Sequence, residues 1–104
     1  MGVMELRHLE HFLAVAGTGS FSQAAKQLHV VQSGVSATVK ALERELGSDL
    51  FTRRPQGVAL TAAGRVFLPR ARETLDAARA AKDAVRRRQG ALHGTVTVDR
   101  KSVV

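Results

Sequence analysis

Short amphipathic helical segments separated by glycine constrain the fold of this chain more than any other feature. From Glu5 onward, apolar residues recur at helical spacing until Gly17 and Gly19 interrupt the pattern. Ser20 and Gln23 then form a capping-box pattern, which predicts a second helix of about two turns. The periodic apolar residues of the first helix are Leu6, Leu9, Phe12, Leu13 and Ala16, and the predicted buried side of the second carries Phe21, Ala24, Ala25 and Leu28.

A third helix is predicted after a tight connection at residues 29–31. Its apolar residues fall within about 60° of each other around the helix axis, which indicates a single core-facing stripe. Gly47 stands in the usual helix-ending position. The stripe comprises Val35, Val39, Leu42 and Leu46.

The second half of the chain begins with a hairpin pattern. Two short strand candidates, residues 50–53 and 58–60, flank the turn RPQG, whose Pro and Gly suit a chain reversal. Thr61 then caps a helical pattern that runs to about Gln89, and Gly90 is expected to break it. Residues 95–98 alternate like a strand. The predicted fold class is mainly α: a winged helix-turn-helix of three short helices and a two-stranded wing, followed by one long helix.

Length and charge limit the possible functions. At 104 residues the chain is one small domain, with room at most for an appended helix. Its net charge of +7 favours a polyanionic partner, although a solvated basic surface would have the same composition. The excess lies mainly in residues 61–90, which hold eight Lys or Arg against three Asp or Glu. A DNA-binding role for the first half must therefore rest on its helix pattern.

Several other classes of protein find no support in the sequence. Without cysteine the chain has neither disulfides nor thiolate metal sites. No apolar run reaches membrane-span length and the N-terminus lacks a secretory signal, so a cytoplasmic protein without a membrane partner is expected. No carboxylate pair or nucleophile–base pair stands out, so neither an enzyme nor a cofactor is predicted. The histidines show no metal-ligand grouping and are interpreted as structural surface residues: His8, His11, His29 and His93.

The third helix has a polar outer face opposite its apolar stripe. This face is small near its N-terminus and basic toward its C-terminus, which would let it lie deep in a groove while its cations reach phosphates. In a winged helix-turn-helix, the second helix braces the third in the major groove, and the wing contacts phosphate or the minor groove. The alternative is an ordinary solvated helix face. The residues of the outer face are Ser33, Ser36, Ala37, Lys40 and Arg44.

Spaced matches along the chain resemble the LysR-type transcriptional regulators. They are MELRHL (4–9), GSFSQAA (19–25), LHV (28–30), Gln32, Ser36, LERELG (42–47), LF (50–51), Arg53 and LTAAG (60–64). The resemblance implies a DNA-binding domain that a linker helix joins to a larger effector-binding domain of periplasmic-binding-protein type. Residues 93–98 resemble the first strand of that second domain, and the rest of it is absent. The chain is therefore expected to be either truncated or a naturally short protein.

Two departures from the family pattern affect the predicted DNA contacts. Val31 is a poor N-cap, so the third helix is expected to start one or two residues later, with Gln32 or Ser33 supplying the cap. Ala37 stands where the family commonly has a long polar residue, and its methyl can touch a thymine methyl but cannot hydrogen-bond a base edge. Base readout is therefore expected to shift to its neighbours. The predicted DNA-binding residues are Gln32, Ser33, Ser36, Ala37 and Thr38 at the bases, Lys40 at phosphate, and Arg53 and Arg54 of the wing at the backbone or minor groove.

The long helix carries a seam typical of coiled coils, with residues at alternating steps of three and four. Packing against the chain's own domain is the alternative, and it is taken to account for Val66 and Phe67. Beyond Arg72 no further chain is expected to cover the seam, which favours an intermolecular contact. The arginines at 86–88 are interpreted as a solvated helix end, with DNA contact the less favoured alternative. The predicted dimerisation residues are Leu68, Ala71, Leu75, Ala78, Lys82 and Val85.

These predictions divide the chain into a DNA-binding domain, residues 4–61 with the helix-turn-helix at about 21–40, a dimerisation helix at 61–90, and a tail or domain start at 91–104. The hypothesis is a homodimer, possibly a tetramer in a full-length form, that binds double-stranded DNA at a pseudo-palindromic operator. Two alternatives remain open. One is an interaction module that heterodimerises with a full-length regulator through the long helix, and the other is a nonspecific nucleoid-type binder.

Overall fold

Helices and one hairpin make up the fold. The computed structural model describes residues 3–96, and the side chains of residues 3–90. Three short helices come first, α1 (Leu6–Thr18), α2 (Phe21–Leu28) and α3 (Gln32–Leu46). An antiparallel hairpin of β1 (Phe51–Arg54) and β2 (Gly57–Leu60) follows, and then a long helix, α4 (Ala62–Val96). This architecture confirms the predicted winged helix-turn-helix followed by a long helix.

Capping residues place the starts of α2 and α4 and the ends of α1 and α3 where the sequence predicts them. Ser20 Oγ and Thr61 Oγ1 each accept a hydrogen bond from the backbone N–H three residues later, at 3.1 and 3.0 Å. Gly19 and Gly47 take the left-handed conformation that commonly ends a helix. None of the described helices has a stretch long and apolar enough to cross a membrane.

One apolar core joins the short helices, the wing and the first half of α4. The four phenylalanines of the sequence form a continuous chain of rings within it. Between ring centroids, Phe21 lies 6.0 Å from Phe51, Phe51 lies 5.3 Å from Phe12, and Phe12 lies 5.0 Å from Phe67. The aromatic chain therefore links α2, β1, α1 and α4.

The buried face of α3 differs from the predicted stripe. Val35, Val39 and Leu42 are buried as predicted, but Leu46 is 40% exposed and Thr38 is buried. Thr38 lies one turn from Val35, at the edge of the stripe, and the core is wide enough to include it. Leu46 points in the same direction as the stripe but occupies the last residue of the helix, next to the exposed loop at 47–49. The burial of Thr38 therefore contradicts the prediction that this residue contacts a base.

The long helix does not end at Gly90. It continues to Val96, so Thr95 and Val96, which the sequence placed in a strand, are helical. Gly90 does not take the left-handed conformation found at Gly19 and Gly47. A single glycine within a helix costs only about 1 kcal/mol relative to alanine, which is too little to end a long helix by itself. The remainder of the predicted strand, residues 97–98, lies outside the described residues.

The first half of α4 packs against α1 and belongs to the core. Ala71 is 1% exposed and Leu75 is 4% exposed. The expectation that the monomer leaves the seam uncovered beyond Arg72 is therefore wrong at Leu75, because α1 reaches a further turn along α4. From 76 to 90 every side chain is exposed except that of Ala78, which is half-buried.

The wing is held against the turn between α1 and α2. The Val58 N–H donates a hydrogen bond to the Gly19 carbonyl at 3.0 Å. Gly57 has a φ of 137°, and a Cβ at this position would run into the Gly19 carbonyl oxygen. Glycine at 57 thus permits both the backbone conformation and the close approach.

Glu43 ties α3 to the first strand of the wing. Its Oε2 accepts hydrogen bonds from the backbone N–H groups of Leu50, at 2.7 Å, and Phe51, at 3.4 Å. Leu50 and Phe51 are both buried, so water cannot readily replace this acceptor. The carboxylate therefore helps to set the position of the wing relative to α3.

We expect Glu43→Ala to lower the free energy of unfolding by about 1 to 2 kcal/mol, because it leaves these N–H groups without their acceptor. Glu43→Gln, which keeps a side-chain oxygen, should lose less. Urea unfolding followed by circular dichroism gives both values, with Glu45→Ala, an exposed glutamate on the same helix, as the matched control. Equal stabilities for Glu43→Ala and Glu45→Ala would contradict this role.

Candidate nucleic-acid interface

The outer face of α3 is open to solvent along its length. Gln32, Ser33, Ala37 and Lys40 are exposed, and Ser36 is half-buried. Arg44, on the same face, is exposed in the last turn. Thr38 cannot share in direct base readout because it is buried against the core. The remaining predicted positions on α3 form one accessible surface.

The start of α3 differs from the expectation about its cap. The helix begins at Gln32, with Val31 at the N-cap and no side-chain cap hydrogen bond. The Gly34 N–H instead bonds to the Val31 carbonyl at 3.0 Å, so the main chain tightens the first turn. The side chains of Gln32 and Ser33 are therefore not used as caps and stay available on the surface.

Helix α2 braces α3 from behind. Its buried residues are Phe21 and two small residues, Ala24 and Ala25, which let the helices approach closely. His29 ends α2 in the left-handed conformation, with a φ of 61°, and turns the chain sharply toward α3. This tight connection is the one predicted from residues 29–31.

The wing brings two arginines beside the first turns of α3. Arg53 and Arg54 are exposed, and the Arg53 guanidinium carbon lies 4.9 Å from the centroid of the Phe21 ring. Arg53, Arg54 and Gln32 line one hollow of about 250 Å³. Arg53 also borders a hollow of about 120 Å³ with Ser36 and Lys40. Predicted wing and helix residues are thus brought together on one side of the molecule.

The cations of this surface form no ion pair with the side chains of residues 3–90. Among residues 3–90, the ion pairs are Arg7 with Glu5 and Arg70 with Glu73. Lys40, Arg53 and Arg54 take part in neither. They are therefore available to phosphate groups, which attract unpaired guanidinium and ammonium groups strongly.

Sequence reasoning missed three contributors to this surface. Ser20 and Ser22 line the same hollow as Arg54, with their hydroxyls 3.0 Å apart. Phe21 was predicted only as a core residue, yet its ring also lies under Arg53. The cap at Ser20 was the available signal, since it fixes the start of α2 close to the wing.

His8 and His11 belong to the framework rather than to this surface. His8 is buried, not a surface residue as predicted, and its Nδ1 accepts a hydrogen bond from the Glu5 N–H at 3.0 Å. Burial and the nearby Arg7 lower the pKa of His11 and so favour its neutral imidazole. His29 is exposed, and the side chain of His93 lies outside the described residues.

Comparison with known sequences and structures identifies relatives of this arrangement. Residues 6–65 match the family described as "Bacterial regulatory helix-turn-helix protein, lysR family". The regulator ShiR of Corynebacterium glutamicum (strain R) is 46% identical over 95 residues, which cover 91% of this chain and 32% of ShiR. TfdT of Cupriavidus pinatubonensis (strain JMP 134 / LMG 1197) is 49% identical over 72 residues, covering 69% of this chain and 32% of TfdT. The chain thus spans about a third of the length of either regulator.

Solved structures show the same fold, some of them with DNA bound. The CbnR_DBD–DNA complex aligns with a TM-score of 0.77 and 43% identity, over 83% of this chain and 99% of that one. The BenM_DBD complex with the benA site 1 DNA aligns with a TM-score of 0.76 and 36% identity, over 81% of this chain and 94% of that one.

Proposed function

Because the chain belongs to the lysR family of bacterial regulatory helix-turn-helix proteins, we propose that it binds double-stranded DNA sequence-specifically, as the DNA-binding part of a LysR-type transcription regulator. One observation carries this function: the exposed face of α3 meets the wing arginines, which form no ion pair among residues 3–90, around shared hollows. The relatives are transcriptional regulators, which fits a role in binding rather than in catalysis. Such a regulator would work in the cytoplasm, where bacterial DNA lies.

The proposed contacts follow from the chemistry of each residue on this face. Gln32 can pair with an adenine edge, Ser33 and Ser36 can bond to several bases, and the Ala37 methyl can touch a thymine methyl. Lys40 would hold phosphate at the middle of α3. Arg53 and Arg54 would hold the DNA backbone or enter the minor groove.

We also propose a homodimer formed through α4, which would present two recognition helices to a pseudo-palindromic operator. Residues 76–90 support this proposal, because their side chains are exposed on nearly every side of α4. Val85 among them is 58% exposed. A helix segment without tertiary packing is only marginally stable in water, so a second copy would stabilise it. With Ala71 and Leu75 buried in the monomer, the seam would consist of Leu68, Ala78, Lys82 and Val85.

The same exposed half of α4 favours one alternative function, an interaction module that heterodimerises with a full-length regulator. That function requires no affinity of the chain itself for DNA. Salt-dependent binding of the isolated chain to duplex DNA would separate the two, since counterion release makes phosphate contacts salt-dependent.

Selection of bound sequences from a random duplex library, followed by fluorescence anisotropy with the selected site, tests the proposed function. We expect a preferred sequence, whereas a nonspecific nucleoid-type binder would retain random duplexes equally. Arg54→Ala should weaken binding to all sequences alike and reduce the slope of log affinity against log salt by about one.

Gln32→Ala should instead alter base preference, by about 1 to 3 kcal/mol of discrimination at one position, and Ala37→Arg should create a new preference. Arg87→Ala, which removes the same charge from the exposed part of α4, is the control for Arg54→Ala. Equal losses of DNA affinity in Arg54→Ala and Arg87→Ala would mean that the wing contributes only its net charge to binding.

A further inference from the structure

Arg53 and Arg54 are neighbours in the wing, but only Arg53 has an aromatic ring beneath it. Its guanidinium carbon is 4.9 Å from the Phe21 ring centroid, within the range of a cation–π contact. Successive side chains of a strand point to opposite faces, and among residues 3–90 it is Arg53, not Arg54, that contacts the ring. The two arginines therefore differ in how far their positions are fixed before DNA arrives.

The ring under Arg53 is itself held firmly. Phe21 is 9% exposed and packs edge-on against Phe51, with an interplanar angle of 72°. Phe51 in turn contacts Phe12 of α1. The backbone on both sides is also fixed, by the Ser20 cap at the start of α2 and by the Val58 to Gly19 hydrogen bond of the wing. The aromatic platform is thus a rigid part of the domain.

This contact places the guanidinium between the wing and α3, where Arg53 borders the hollow shared with Gln32 and also the one shared with Ser36 and Lys40. A long side chain loses rotamer freedom when it binds, and a side chain already held in place loses less. We propose that Phe21 is a positioning residue for DNA binding: its ring holds Arg53 toward the α3 side of the wing before DNA binds. The inference rests on the proposed function.

A double-mutant cycle tests the proposal. Phe21→Leu keeps an apolar side chain in the core but removes the ring face, and we expect it to weaken affinity for the selected duplex about two- to fivefold. In an Arg53→Ala background, Phe21→Leu should not weaken affinity further, because the guanidinium that the ring positions is already absent. Phe21→Tyr, which keeps the ring, should bind as the unmodified chain does. A purely structural role predicts the same loss in both backgrounds, and that result would overturn the proposal.

Stacking can be measured separately, without DNA. Ring current from Phe21 should shift the Arg53 δ and ε protons upfield in the NMR spectrum of the free chain. The shift should disappear in Phe21→Leu and persist in Phe21→Tyr. If Phe21→Leu does not fold, Phe21→Met, whose flexible side chain adapts to core gaps, replaces it.

The outcomes are distinguishable. An unmodified chain that lacks the upfield shift refutes the stack, whatever its DNA affinity. An upfield shift combined with equal losses in both backgrounds refutes positioning but leaves DNA binding intact. A chain that shows the shift but binds no duplex refutes the proposed function and the positioning role with it.

Discussion

Leu75→Asp is expected to abolish the cooperative unfolding transition of the chain, because the domain no longer folds. Leu75 is 4% exposed within the monomer, packed in the core with α1. Removal of a buried leucine side chain costs about 2 to 5 kcal/mol, and burial of an unpaired carboxylate adds to this. The total stability of a small domain is only about 5 to 15 kcal/mol. Circular dichroism at 222 nm during thermal and urea denaturation measures the effect.

The matched control is Val85→Asp, the same kind of change on the same stripe of α4 where the side chain is 58% exposed. This variant should keep the unfolding transition of the DNA-binding domain and lose at most the part of the helix signal that comes from residues 76–90. Light scattering should show it as a monomer, since the proposed seam loses an apolar residue and gains a charge on both copies. A folded but monomeric Leu75→Asp protein would instead place Leu75 in the intermolecular seam.

Gly64→Ala is expected to have the next largest effect, a loss of roughly 3 kcal/mol in the free energy of unfolding. Gly64 is buried in the first turn of α4, and a Cβ there would meet the Leu50 carbonyl oxygen and lie 2.8 Å from Leu60 Cδ2. The carbonyl belongs to the main chain just before β1 and also accepts the Thr61 N–H, so it cannot easily move. Urea denaturation with linear extrapolation gives the loss.

Gly17→Ala should change stability in the opposite direction. Gly17 lies within α1, and a Cβ there would meet nothing within 4 Å. Alanine in an exposed helical position is favoured over glycine by about 0.5 to 1 kcal/mol. If Gly64→Ala and Gly17→Ala shift the urea midpoint in the same direction, then the close approach to the wing strands is not what requires glycine at residue 64.

Helix boundaries set by short-range chemistry could be predicted from the sequence. Ser20, Gly47 and Thr61 form caps from atoms a few residues apart, so their effect is visible in the sequence itself. The extent to which Leu46 and Leu75 are buried could not be predicted in the same way. It depends on how far neighbouring helices extend, and the periodic pattern of a single helix contains no information about that.

The candidate site likewise has one part that the sequence predicts and one part that it does not. The exposed polar residues of α3 and the two wing arginines followed from the pattern and the family resemblance. The contact of Arg53 with Phe21 joins residues 32 positions apart in sequence, and Glu43 accepts hydrogen bonds from Leu50, seven residues away, and from Phe51, the first residue of β1. Neither contact could be derived from local spacing, because each depends on how the wing folds back over α2 and α3.

The continuous path of α4 also determines where this domain can be cut or recombined. No loop separates the residues that complete the core, up to Leu75, from those that extend beyond it. A chimaera joined just after the wing would inherit a foreign Phe67, Ala71 and Leu75, and its core would be assembled from two parents. If a domain exchange with a relative is to preserve the fold, the transferred segment has to include α4 at least as far as Ala78. The transferable DNA-binding unit is therefore longer than the helix-turn-helix and wing alone.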